Sequence, residues 1–305
     1  MMNDEGGCVY VICAPSNLGL RPPAPTAVPG TCRAPEALRD AGLWRRLQVS
    51  PERDLGVVLP GRYLDDAQPG RLRNQDLIVA YTRLLADRLD QVPRDAQTLV
   101  LGGDCSILLA AGVHLRRRGR FGLIHLDGHT DYRNPANSEQ CSSLAGEDLA
   151  AATGKHWPSV ANLDNLGPYF NPSDTVHLGC RDDDENLSEV REDIADLVPA
   201  SQWRHDPANA ARRALAVVSR PELDGYWIHL DVDVVDPAYL PAVDSPDAGG
   251  VTPDELSDLL RTVLPQACGL QITVYDPDLD PDGACARLLV ETIASALASL
   301  PTIQD

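Results

Sequence analysis

The stretch Leu123-Ile124-His125-Leu126-Asp127-Gly128-His129-Thr130-Asp131 passes from apolar residues into three metal-binding side chains spaced two apart. On an extended backbone, residues two apart point to the same side. Asp127, His129 and Asp131 would then converge past the end of a buried strand, where open parallel sheets place their ligands. A second stretch follows the same plan. Trp227-Ile228-His229-Leu230-Asp231-Val232-Asp233-Val234-Val235-Asp236-Pro237 delivers Asp231 and Asp233 to one side of its strand end. Side by side, the two ends gather Asp127, Asp131, Asp231, Asp233 and an imidazole in a small volume. Carboxylates so close cannot all stay ionised unless cations neutralise them. A pair of divalent ions sharing a water suits such a set, and the mix of oxygen and imidazole suits Mn, Fe, Co, Ni or Zn.

Working outward, short apolar runs at 9–14, 98–101, 123–126, 175–178, 226–230 and 270–275 read as buried strands. They show little alternation, as expected of a parallel sheet covered on both faces. Amphipathic stretches at 35–48, 74–89, 106–117, 208–219, 253–264 and 284–300 read as helices. Thr252-Pro253-Asp254-Glu255 carries a capping threonine, a first-turn proline and a carboxylate at the third position, a strong helix start. Strand and helix alternate, which predicts an α/β fold: a three-layer α/β/α sandwich on a mostly parallel sheet, with 1–305 as one domain. Residues 15–33 and 134–174 read as long rim loops, and loops of that length are usually functional. In Leu99-Val100-Leu101-Gly102-Gly103-Asp104-Cys105-Ser106 another strand runs into a helix. The glycine pair permits a tight turn, and Ser106 is placed to cap the helix. Cys105 lies at the mouth of the same sheet edge; a buried apolar thiol is its plainest reading.

The chain has 305 residues, enough for a full-sized core. Lys and Arg number 26 against 45 Asp and Glu, a net charge of −19. Such a balance argues against nucleic acid or an anionic membrane as partner and favours a small cationic substrate. Most of the excess is what a solvated acidic surface would give. Eight cysteines form no Cys-x-x-Cys pair, against a zinc knuckle or thioredoxin-type site. The N-terminal Met-Met-Asn-Asp-Glu is acidic where a signal peptide needs basic residues. No apolar run approaches the ~18–20 residues of a membrane span. The expected location is the cytoplasm, with reduced thiols.

The three motifs, in this order, resemble the ureohydrolase family of arginase, agmatinase and relatives. The family pattern is Gly-Gly-Asp-His, then Asp-Ala-His-x-Asp, then Ser-x-Asp-x-Asp-x-x-Asp-Pro. Ile12-Cys13-Ala14-Pro15-Ser16, the segment 34–43 and the Pro/Gly stretch 241–250 add to the match, which spans nearly the whole chain. The resemblance implies two Mn(II) ions bridged by hydroxide. Asp127 and Asp231 would bridge them, His129 and Asp233 would complete one site, and Asp131 and Cys105 the other. Asp131 would also orient the hydroxide that attacks a guanidinium carbon. Asp182 and Asp184, in Leu178-Gly179-Cys180-Arg181-Asp182-Asp183-Asp184, fall where arginase contacts an α-amino group; an acidic surface turn is the other reading.

Departures from the family are specific. Cys105 replaces a His, a softer ligand than Mn prefers; either it binds and shifts the metal toward Fe, Co, Ni or Zn, or one site is weaker. The proton-shuttling His should lie within 140–146, which has none; His156 and His177 are the candidates to replace it. Arg133 stands where arginase has the Asn that contacts the α-carboxylate, with Asn134 beside it, and Arg can bind a carboxylate bidentately. Val274 stands in place of the guanidinium-binding Glu, leaving Asp276 or Asp278 to compensate. His125 and His229, each two residues before a ligand Asp, are core residues or orienting partners. The expected activity is hydrolysis of a guanidino C–N bond, in arginine or a modified arginine such as Nω-hydroxyarginine, giving urea or a substituted urea and an amine. Hydrolysis of a formimino or acylated amine, or a non-catalytic binding or assembly role, are the alternatives. The resemblance also implies a homotrimer or homohexamer.

Overall fold

A computed structural model describes residues 9–298. Eight strands form one sheet: β1 (Val9–Ala14), β2 (Asp54–Val57), β3 (Gln97–Gly102), β4 (Gly122–Leu126), β5 (Thr175–Leu178), β6 (Asp196–Val198), β7 (Tyr226–Asp231) and β8 (Gly269–Thr273). Their order is β2-β1-β3-β8-β7-β4-β5-β6, and every pairing is parallel. β3 and β4 are consecutive in sequence yet sit on opposite sides of β8 and β7. The chain therefore reverses its winding at the sheet centre, and strand ends there open a crevice.

Each face of the sheet is covered. Ile124, Leu126, Ile228 and Leu230 pack against the helices Pro253–Val263 and Ala284–Leu297. On the other face Ile12, Val100, Leu123 and Trp227 pack with Gln75–Leu89 and Leu108–Arg116. This is the three-layer sandwich expected. The capping box at Thr252 and Glu255 forms, each side chain accepting the other residue's backbone N–H. No helix among the described residues is long and apolar enough to cross a membrane.

Several local expectations are corrected. β2 and β6 are sheet-edge strands of only four and three residues, too short for a hydrophobic pattern to announce them. The helix expected at 35–48 is broken into Ala34–Asp40 and Leu43–Arg46 by Gly42, whose φ of 97° lies in the left-handed region that glycine favours. Ser106 is not the cap: the Asp104 carboxylate accepts its N–H at 2.9 Å. The stretch 134–174 holds short helical pieces, among them Asp148–Ala152 and Pro158–Ala161.

One polar row interrupts the second apolar layer. Strand register sets His177, His125, His229 and Gln271 side by side on β5, β4, β7 and β8, none more than 1% exposed. The rings of His125 and His229 stack at 4.6 Å between centroids.

Candidate metal centre

The two sequence motifs meet, but turns rather than the expected extended backbone bring their ligands together. β4 and β7 are neighbours in register from Gly122/Tyr226 to Leu126/Leu230, so Asp127 and Asp231 leave adjacent strand ends together. Beyond β7 the Asp231 carboxylate accepts the Asp233 N–H at 2.8 Å and starts a helical turn. Asp127 accepts the His129 N–H at 2.7 Å. These turns fold the second ligand of each pair back over the first. Asp127, His129 and Asp233 form one close group of ligand atoms, and Cys105, Asp127 and Asp231 another, with Asp127 shared. Asp131, in the left-handed region at φ 46°, lines the cleft above them.

Burial sets the electrostatics. It pushes the Asp127 carboxyl well above the usual range, and Asp131 and Asp233 add to this. Asp231 rises through burial and Asp233, and Asp131 through burial and Asp148. Asp233 goes the other way: burial favours its neutral form, but the His129 imidazolium and the Gly128 N–H hold it below its ordinary value. His129 is correspondingly pushed up to about 11 despite its own burial, chiefly by Asp233, whose Oδ2 lies 2.9 Å from Nδ1. Burial, then Asp231, raises the Cys105 thiol, which donates to Asp231 Oδ2 at 2.9 Å. Such a set is short of positive charge. Asp127 Oδ2 is buried with no hydrogen-bond partner among the described residues. Carboxylates, an imidazole and a thiol with an unpaired buried oxygen fit divalent cations.

The centre floors a cleft of about 450 Å³. Asp183, Asp184, Glu185, Asp244 and Asp247 stand on its walls with Arg21, Arg133 and Arg181. Arg181 is already committed, donating to the backbone carbonyls of Asp233 and Asp247 at 2.9 and 2.6 Å. Asp184 is fixed by the Thr130 N–H and hydroxyl at 2.9 and 2.6 Å. Arg133 pairs with Glu185 at 2.6 Å.

Other residues singled out from the sequence do not line this cleft. Asn134 is buried in its own loop, its amide donating to the Tyr132 carbonyl. Asp182 is exposed and accepts from Ser201. Asp276 accepts the Gly30 and Asp278 N–H groups. His156 has both ring nitrogens engaged, Nε2 with Glu147 and Nδ1 with the Trp157 N–H, each at 2.9 Å. His177 sits in the polar row, with Nδ1 3.0 Å from Nδ1 of His125. From the stretch 140–146, Ser143, Ala145 and Gly146 reach the cleft, as does Val274 from beyond β8.

Three functional candidates escaped the sequence reading. Asp247 accepts from His129 Nε2 at 3.1 Å while Nδ1 faces Asp127 and Asp233. This is the carboxylate–histidine arrangement that orients a metal-binding imidazole. Asp244 walls the cleft, its carboxyl raised to about 6 by burial and by Asp233. Asp148 lies wholly buried against Cys105 and His229. Nothing in its local sequence, Gly-Glu-Asp-Leu-Ala, marks it as more than a helix start.

Comparison with known proteins agrees with this geometry. The model of the Arginase family matches residues 9–299. Arginase from Bacillus caldovelox is 29% identical over 277 residues, covering 87% of this chain and 92% of that protein. Its crystal structure superposes with a TM-score of 0.82 at 26% identity, over 98% of this chain and 99% of that one. Arginase from Bacillus subtilis gives a TM-score of 0.82 at 25% identity, over 95% and 98%. Strand order, paired carboxylate motifs and a match along nearly the whole described chain lead to one conclusion: this protein is a member of the arginase family.

Proposed function

We propose that this protein is a binuclear-metal hydrolase that cleaves a C–N bond of a small cationic guanidino compound, arginine or a modified arginine, releasing urea or a substituted urea and an amine. Membership of the arginase family makes it a hydrolase of amidine-type C–N bonds; the substrate is read from the cleft. The observation that carries it is the acidic wall of Asp183, Asp184, Asp244 and Asp247 directly above the buried carboxylates. Low-dielectric walls of one charge sign concentrate ligands of the opposite sign.

Asp127, Asp231, His129, Asp233, Asp131 and Cys105 would hold two divalent ions, Mn(II) or, given the thiol, a softer metal. Such ions lower the pKa of a shared water and template its attack. The chain's own groups do the rest. Asp131, at the cleft floor, accepts a hydrogen bond from the attacking water and so aims it. The same carboxyl takes the water's proton and passes it to the departing amine, a general acid–base role. Asp184, fixed by Thr130, meets an ammonium group, and Arg133 swings from Glu185 to a substrate carboxylate. Val274 gives an apolar floor, so the acidic walls carry cation recognition.

The test is urea release across a panel of guanidino and amidino compounds, run on protein whose metal content is measured in parallel. Turnover of at least one guanidino amino acid at two ions per chain is expected. Fully loaded protein that releases urea from none of them would sink the proposal. A homotrimer or homohexamer is the assembly that goes with this reading, and sedimentation velocity measures it.

A further inference from the structure

The polar row beneath the centre faces Asp148, and its hydrogen bonds from Trp227 through Gln271 to His229 run in one direction. The Trp227 indole N–H can only donate, and it lies 2.9 Å from Gln271 Oε1. The other end of that amide, Nε2, therefore donates to His229 Nδ1 at 2.6 Å. A neutral His229 must then carry its proton on Nε2, which faces Asp148 Oδ2 at 3.6 Å. His125 Nε2 lies 3.4 Å from the other carboxylate oxygen, Asp148 Oδ1. Two imidazoles thus aim at Asp148 from the sheet side. Asp148 Oδ2 and His229 Nε2 are both buried and have no hydrogen bond among the described residues.

Asp148 also borders the side of the centre where the family's His is missing. Its ligand atom lies within 4.8 Å of both Cys105 Sγ and His229 Nε2. Asp131 is its electrostatic neighbour. Cys105 and Asp131 are the two residues that complete the thiol-side ion in the proposed two-metal reading. A buried carboxylate with one oxygen left without a hydrogen bond is costly without a cation.

We propose that Asp148 is an additional ligand of the thiol-side metal ion, compensating for the imidazole lost at Cys105, with His125 and His229 as the positioning residues that hold it. A thiolate, carboxylates and a nearby donor pair make this a softer, more enclosed site than its neighbour. Zn(II), Co(II) or Fe(II) suits it better than Mn(II). The inference rests on the two-metal reading but adds a residue and a metal preference to it.

The experiment is titration of chelator-treated protein with Co(II), following stoichiometry by calorimetry and the thiolate-to-Co(II) charge-transfer absorption. The unaltered chain should bind two ions and show that absorption. Asp148→Asn should weaken the absorbing ion by at least ~10–100-fold and leave the other in place. In Cys105→His, which restores the imidazole, adding Asp148→Asn should cost much less. Two ions bound equally well with and without Asp148 overturns the inference and leaves the two-metal reading standing. Failure of the unaltered chain to bind two ions overturns both. Should Asp148→Asn not fold, a crystal structure of the Co(II)-loaded unaltered protein decides the matter. An Asp148 oxygen within ~2.2 Å of the thiol-side ion supports the assignment; an Asp148 carboxylate farther than hydrogen-bond reach from it defeats it.

Discussion

The two halves of the centre use the same pair of chemical groups in opposite roles. On the cleft side His129 faces the ligand cluster and a carboxylate, the exposed Asp247, holds the ring from behind. On the sheet side a carboxylate, Asp148, faces Cys105, and imidazoles, His125 and His229, stand behind it. The first half is open to water through a part-exposed ring; the second is wholly buried. The lesson is that an enclosed site has to draw its partners from the neighbouring core strands, here β4 and β7. The open site can borrow its partner from a loop.

The sharpest way to break the comparison is to remove a residue common to both halves. Asp127→Asn should abolish binding of both ions, lowering urea release by at least ~100-fold relative to the effect scale of orienting residues, with metal analysis as the readout. Next in size, Asp247→Asn should weaken only the His129-side ion, by ~10–100-fold, leaving the thiolate absorption intact in a Co(II) titration. A loss on both sides would show that the halves are not independent.

A third test uses pH on the chelator-treated protein. The folded-state values of Asp127, Asp131, Asp148 and Asp231 are raised by burial. In the folded state these groups keep protons that the unfolded chain has already released. Stability from them is therefore fully present below the unfolded value near pH ~4 and is lost as pH rises through the folded values. The melting temperature of metal-free protein should fall between pH 5 and 8 by several degrees, ~2–4 °C per kcal/mol for a chain somewhat smaller than this one. His129 works the same way: its contribution is whole below its ordinary value of about 6.5, declines above it and is gone by about 11, so it adds to the trend; Asp233, depressed, contributes in full above its unfolded value. Neither cancels the trend across that window. Metal-loaded protein should show a flat profile in the same calorimetric scan. The smallest expected effect is at the rim: Asp183→Asn, on an exposed wall residue, should raise KM ~2–5-fold with kcat and metal content unchanged, in keeping with the worth of a solvated charge.

What could be read in advance was what repeats along the backbone. The buried strands announce themselves as apolar runs, and Asp127, His129, Asp231 and Asp233 follow because a ligand two residues on from another is a local pattern. β2 and β6 escaped because runs of four and three residues are too short to carry such a pattern. Asp148 and Asp247 escaped because each meets its partner only through tertiary contact: Asp148, at a helix start, lies 23 residues from His125, and Asp247 lies 118 from His129. His156 attracted notice as a histidine near the expected stretch, but the Glu147 carboxylate that engages it is a matter of packing, which spacing does not reveal.

The row of His177, His125, His229 and Gln271 has a consequence for how the sheet finds its alignment. A one-residue slip of any of these strands turns its side chains to the opposite face. An imidazole or amide would then enter the layer of Ile124, Leu126, Ile228 and Leu230, losing its partners at a cost of ~1–3 kcal/mol for each stranded group. Apolar strands alone tolerate such slips poorly but without a sharp penalty at any one position. Four polar groups that lie side by side in one register only, with Trp227 as a further partner of Gln271, make the correct alignment distinguishable from its neighbours, so the row beneath the centre also proofreads the strands that carry it.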